Sequence, residues 1–248
     1  MPDIVISNEG PVRKIRMNRP EKKNALTLAM YETMAAAIED AGTQTSVRCL
    51  LLAGAPDVFC AGNDLNDFVA MARSGALGAS IVRFLHVLAR CEKPLVAAVS
   101  GAAVGIGTTM LLHCDQVIAS DNAVLLTPFV SLGLLPEAGC SLIAPRLIGH
   151  ARAFSLLVMG KPLSATDARA VGIVNAVVPA AELDAQSLAI ARDIAALPPE
   201  SVATARRLMR GSVEEVAARI DEEVEAFRMR LAAPEAQAAL AAFLTRKR

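Results

Sequence analysis

From Pro94 to Cys114 the chain reads PLVAAVSGAAVGIGTTMLLHC, twenty-one residues without a charge. A run of that length raises a membrane span, but Ser100, Gly101, Gly105, Gly107, Thr108 and Thr109 interrupt it. The pattern reads instead as a buried strand over Leu95–Val99, a glycine-rich turn over Gly101–Gly107, and a buried helix from near Ile106 to Cys114. Backbone N–H groups at that helix start point at whatever lies above the strand. Three glycines suit a turn whose backbone something must approach closely.

The flanking segments place this stretch in an α/β chain. Ile4–Ser7 and Val12–Asn18, separated by Asn8-Glu9-Gly10, read as a β-hairpin. Thr27 is positioned to cap a helix with Met30, Met34, Ile38 and Ala41 on one face. Val47–Ala53 is a buried strand, followed by a second glycine turn, Phe59-Cys60-Ala61-Gly62-Asn63-Asp64-Leu65. A helix over Ala70–Arg90, broken near Gly75 and Gly78, leads to Pro94. Short strands over Gln116–Ser120 and Ala123–Leu126, a loop over Thr127–Gly139, and a helix over Cys140–Leu147 containing Pro145 come after it. Strands alternating with helices up to about residue 180 imply parallel pairing. No internal repeat is visible. Alanine-rich helical patterns then take over, so 1–194 reads as the core and 195–248 as a helical C-terminal subdomain. In it Val213, Val216, Ile220, Val224 and Phe227 recur at helical spacing and need a surface to bury against, either the chain's own core or a second subunit.

Composition removes several classes of function. Formal net charge is zero over 248 residues, so no nucleic-acid footprint is present. Five scattered cysteines and three scattered histidines show no metal-ligand spacing, and the cysteines read as reduced core thiols. The opening MPDIVISNEG has neither a basic nor an apolar signal region, and a cytoplasmic setting, or an organelle interior after processing, is expected. No membrane partner is expected either.

The two glycine turns, in this order and at this separation, resemble those of the crotonase superfamily, the enoyl-CoA hydratase/isomerase family. Asn18-Arg19-Pro20, Asn24-Ala25-Leu26, Leu147-Ile148-Gly149, Ala168–Asn175 and Pro234-Glu235-Ala236 extend the resemblance over essentially the whole chain. It implies a spiral of ββα units with a helical C-terminal part that forms trimers, often paired into dimers of trimers. It also implies an acyl-CoA substrate, no metal or redox cofactor, and an oxyanion hole for the thioester carbonyl. By motif position the two donors are the backbone N–H groups of Asn63 and Ile106. That agrees with the physics of the turns, since donors at a helix start are preorganised for developing charge. On this reading the Asn63 side chain has no task. Ala61, Gly62, Gly105 and Phe129 would line the substrate site.

The resemblance also bears on the reaction. A hydratase of this family uses two glutamates, at positions occupied here by Thr109 and Phe129, and neither can act as acid or base. Glu137, in Leu135-Pro136-Glu137-Ala138-Gly139, instead matches the single catalytic base of peroxisomal-type Δ3,Δ2-enoyl-CoA isomerases, which the chain resembles most closely. Conversion of 3-enoyl-CoA to trans-2-enoyl-CoA is therefore expected. Other crotonase reactions, hydration or dienoyl isomerisation, and a CoA-thioester-binding protein without turnover are the alternatives. Asp64 is either a site residue or a helix cap; Lys22 and Lys23 either meet CoA phosphates or are a solvated pair. Arg246 and Lys247 form a basic end that is either a solvated tail or a CoA contact.

Overall fold

In the computed structural model, which describes residues 1–74 and 77–246, the strands form two sheets among the described residues, one of six strands and one of four. The opening hairpin pairs β1 (Ile4–Glu9) with β2 (Val12–Met17) antiparallel, from Glu9 opposite Val12 to Ile4 opposite Met17. Helix α1 (Leu28–Thr43) starts where the Thr27 side chain accepts the Met30 N–H at 3.2 Å. Its stripe of Met30, Met34, Ile38 and Ala41 is buried, each large side chain contributing about 1.5–3 kcal/mol of transfer energy.

Three ββα passes follow. In the first, β3 (Cys49–Ala53) joins the six-stranded sheet, β4 (Val58–Cys60) joins the smaller one, and α2 (Leu65–Ser74) and α3 (Ala79–Arg90) close the turn. The second is β5 (Leu95–Val99), β6 (Ala102–Val104) and α4 (Ile106–Thr109), which continues as a 3₁₀ turn over Met110–His113. The third is β7 (Gln116–Ser120), β8 (Val124–Leu126), α5 (Cys140–Ile148) and α6 (His150–Leu157). Then β9 (Leu163–Ser164) adds antiparallel to β8, and after α7 (Ala165–Ala170) the strand β10 (Ala176–Val178) closes the large sheet beside β7. The chain ends in α8 (Leu183–Ala196), α9 (Pro199–Arg210), α10 (Val213–Leu231) and α11 (Pro234–Arg246). This is the crotonase-type α/β spiral with C-terminal helices that the resemblance implied.

Sequence reading missed the second strand of the first two passes. β4 runs into the first glycine turn and β6 lies within the second, three residues each and paired in parallel. Such short strands carry no alternation long enough to detect, and VFC, AAV and VLL share only an apolar character, which is why the repeat was invisible. The loop over Thr127–Gly139 holds a 3₁₀ turn at Val130–Leu132. The break at Gly78 is real, since Gly78 is the N-cap of α3; Gly75 lies outside the described residues.

The large sheet is sandwiched. One face packs on α1 and α3 through Leu50, Leu52, Leu95, Ala97 and Val99. The other buries Val12, Cys49, Leu51, Val96 and Ile118 against Leu183, Ala191 and Ala195 of α8. Covered on both faces, its parallel strands read as continuous apolar runs. Asp115 ties the layers together: it accepts the Leu95 N–H at 2.8 Å and Arg206 Nε of α9 at 2.8 and 2.7 Å. All five cysteines are free thiols. No helix among the described residues is long and apolar enough to cross a membrane.

Candidate active site

The small sheet aligns three chain exits. Cys60 of β4 pairs with Ala103 of β6, and Leu126 of β8 pairs with Val104. Parallel strands end on the same side, so the residues after each converge. Asn63 and Ile106 each lie three positions beyond the Cys60–Ala103 pair. The turns themselves need glycine: Gly62 has φ 91°, Gly105 has φ 57°, and a Cβ on Gly62 would stand 3.2 Å from the Val104 carbonyl oxygen. Leu26 N donates to Gly62 O at 2.8 Å and Asp64 N to Leu26 O at 2.8 Å, pinning the peptide on either side of Asn63. The Asn63 and Ile106 N–H groups themselves meet no acceptor among the described residues. Ile106 opens α4, so its N–H is one of the helix's unused donors.

These exits line a cleft of about 410 Å³. Ala61, Gly62, Asn63, Gly105, Ile106 and Phe129 face it, and Phe68, Leu134 and Phe227 add apolar walls. A smaller cavity of about 10 Å³, holding Glu137 among Leu77, Ile81, Leu85 and Val224, adjoins it; Asn63 and Phe227 line both.

Glu137 is 6% exposed, and its Oε1 accepts the Thr109 hydroxyl at 2.9 Å. Burial pushes its pKa up to about 8; the Thr109 hydrogen bond pulls the other way, and the Glu223 carboxylate adds to the rise. A carboxyl of that kind is half ionised at about pH 8 and about one-tenth ionised at pH 7, so it can both take up and release a proton. Below it, burial pushes His113 down to about 4. The ring is therefore neutral at pH 7, and since its Nε2 lies 2.7 Å from Ala138 O, Nε2 carries the proton.

A family model described as Enoyl-CoA hydratase/isomerase matches residues 7–248. The chain belongs to that family. Among its relatives, Enoyl-CoA delta isomerase 2 of Rattus norvegicus is 38% identical over 250 residues, covering 98% of this chain and 64% of the rat protein, so the chain spans a little under two thirds of that relative. The 2,3-dehydroadipyl-CoA hydratase of Escherichia coli K12 is 30% identical, covering 100% of this chain and 97% of the relative. Among solved structures, Pseudomonas aeruginosa OdaA superposes with a TM-score of 0.94 at 42% identity over 98% of this chain and 99% of that one. An enoyl-CoA hydratase/isomerase from Pseudoalteromonas atlantica T6c gives 0.93 at 40%, covering 99% and 98%.

This enoyl-CoA hydratase/isomerase family member departs from its sequence reading at several residues. The Asn63 side chain is occupied: its Oδ1 accepts the hydroxyl of Tyr31, a fully buried residue of α1, at 2.6 Å. Thr109, which can serve as neither acid nor base, donates its hydroxyl to Glu137. Three residues beyond Ile106 on one helix face, it occupied a spacing that could have flagged it. Asp64 is absent from the cleft lining. Its carboxylate takes Arg19 Nη1 at 2.8 Å and the Asn66 N–H at 2.9 Å, so it serves as a cap and ion-pair partner. Burial opposes its charge, but the Arg19 guanidinium and the backbone donors hold its pKa below the ordinary value. Lys22 and Lys23 are exposed and do not line the cleft; Lys23 reaches it only through its carbonyl, which accepts the Ala61 N–H at 3.0 Å. Arg246 ends α11, and Lys247 lies outside the described residues. Among the described residues no group of three His, Cys, Asp or Glu side chains is arranged to hold a metal.

Proposed function

We propose that the protein isomerises 3-enoyl-CoA to trans-2-enoyl-CoA with Glu137 as its single base. The observation that carries this is Glu137, the one carboxyl among the described residues lining the small cavity, buried, with its pKa pushed up to about 8, and sharing Asn63 with the apolar cleft. The thioester oxygen sits on the N–H groups of Asn63 and Ile106. Glu137 removes a C2 proton, the C2 electron pair delocalises into a dienolate held by those donors, and the same carboxyl returns the proton to C4 as the double bond moves to C2–C3. No atom is gained or lost. Each oxyanion donor lowers the barrier by about 3 kcal/mol and the base by about 3 to 5 kcal/mol. Isomerase relatives such as the rat protein support this reading.

Hydration has the E. coli relative in its favour, but it needs a second acid–base group, and the positions implied for the pair hold Thr109 and Phe129. The test is to mix the protein with 3-enoyl-CoA and follow conjugated enoyl thioester formation. Turnover abolished in Glu137→Gln supports the proposal; equal rates in both, or no turnover in the wild type, sink it.

The assembly proposed is a homotrimer or dimer of trimers, using the C-terminal helices from residue 195. Leu197, Leu208, Met209 and Met229 are large apolar side chains exposed there, a pattern typical of contact surfaces. Light scattering in solution measures the mass.

A further inference from the structure

Directly after Glu137 the backbone turns left-handed twice, at Ala138 (φ 67°) and Gly139 (φ 69°). For alanine that conformation costs about 1–2 kcal/mol and persists only where the surroundings impose it. Two side chains do so. The neutral His113 donates to Ala138 O at 2.7 Å. From α10, Glu223, only 7% exposed, accepts the Gly139 N–H at 2.6 Å through Oε2 and the Ser141 N–H at 2.9 Å through Oε1. Burial pushes the Glu223 pKa above its ordinary value, while the hydrogen bonds from Ser141 and Gly139 and the nearby Arg219 pull it down; with both oxygens accepting N–H groups at the start of α5, the geometry favours the carboxylate.

Several groups face this pair. Around Glu223 stand Arg219 on its own helix, Cys140 and Ser141 on α5, and Glu137. Around Glu137 stand Tyr31 from α1, Cys60 from β4, Thr109 from α4, Cys140 from α5 and Glu223. Burial raises Tyr31, Cys60 and Cys140 far enough to keep them neutral. Glu223 is then the one charged neighbour of Glu137 among the described residues.

Resting on the reading of Glu137 as base, we propose that Glu223 is its positioning residue: the carboxylate clamps the left-handed Ala138–Gly139 turn that holds Glu137 at the small cavity, and its negative charge disfavours a second one on Glu137. The C-terminal helices thereby complete the reactive site through α10.

The experiment compares the full chain with Glu223→Gln, Glu223→Asp and the control Glu222→Gln, an exposed neighbour on the same helix. Carboxyl ¹³C NMR, with the Glu137 signal assigned through Glu137→Gln, follows its titration without turnover. In Glu223→Gln the Glu137 titration moves to lower pH by about half a unit or more. It returns toward the wild-type position in Glu223→Asp, which keeps the charge, and does not move in Glu222→Gln. With 3-enoyl-CoA, kcat at its high-pH plateau falls about ten-fold in both Glu223 variants while KM stays within about two-fold. An unmoved titration in folded Glu223→Gln overturns the inference, as does a KM that rises in step with the loss of kcat. If Glu223→Gln does not fold, Glu223→Asp decides by kcat, and a value within two-fold of wild type overturns it. A wild-type chain inactive on 3-enoyl-CoA removes the isomerase reading and leaves the NMR titration to decide the role of Glu223.

Discussion

Thr109 Oγ1 donates to Glu137 Oε1 at 2.9 Å, joining the helix that follows the second glycine turn to the loop that carries the proposed base. The bond stabilises the ionised carboxyl. In Thr109→Val, which keeps the shape, the Glu137 pKa rises further. The acid limb of kcat/KM then moves to higher pH, and activity at pH 7 falls by about ten-fold, the worth of one hydrogen bond to a charged group. A pH–rate profile of the two proteins measures this.

As the proposed base of the wild type, Glu137 must be ionised to act, so log kcat/KM is expected to climb with unit slope up to a limb near pH 8, its raised value. A limb near 4.5, the ordinary glutamate value, contradicts the buried-base assignment.

The same shift acts on stability. Because the folded pKa of about 8 lies above the ordinary 4.5, the folded chain holds the proton more tightly than the unfolded one. Stability from this group is full below pH 4.5 and is lost as pH rises through 8. At pH 7 the loss is about 3 kcal/mol. Glu137→Gln, neutral at all pH, is therefore expected to melt above the wild type at pH 7–8 and to match it near pH 4. Thermal unfolding at these pH values tests the sign.

Gly62→Ala places a Cβ 3.2 Å from the Val104 oxygen at φ 91°. The turn must shift, and the Asn63 N–H loses its aim. A fall in kcat/KM of about 10²-fold is expected with the circular dichroism spectrum retained.

Asn63→Ala keeps the N–H and removes the Tyr31 acceptor. Activity is expected to stay within about ten-fold of wild type, while stability falls by about 1–3 kcal/mol because the buried hydroxyl is left unpaired. Adding Tyr31→Phe recovers part of that loss. Chemical denaturation of the two single variants and the double variant closes the cycle.

The order of the two glycine turns, the Thr27 cap, the apolar stripe of α1 and the lack of carboxylates at 109 and 129 were all legible in the chain, because each depends on local periodicity or on the residue type at one position. Glu223 left a trace too: it falls three residues after Ile220 and four before Phe227, on a stripe that is otherwise apolar. The pairings were not legible. Thr109 meets Glu137 across 28 residues, Tyr31 meets Asn63 across 32, and Gly139 meets Glu223 across 84. Such partners are chosen by how strands stack into a spiral and how α1 and α10 pack against it. The sequence by itself determined the family, the glycine turns and a single carboxyl; only the tertiary structure decided which side chains surround that carboxyl, and burial among them is what raises its pKa.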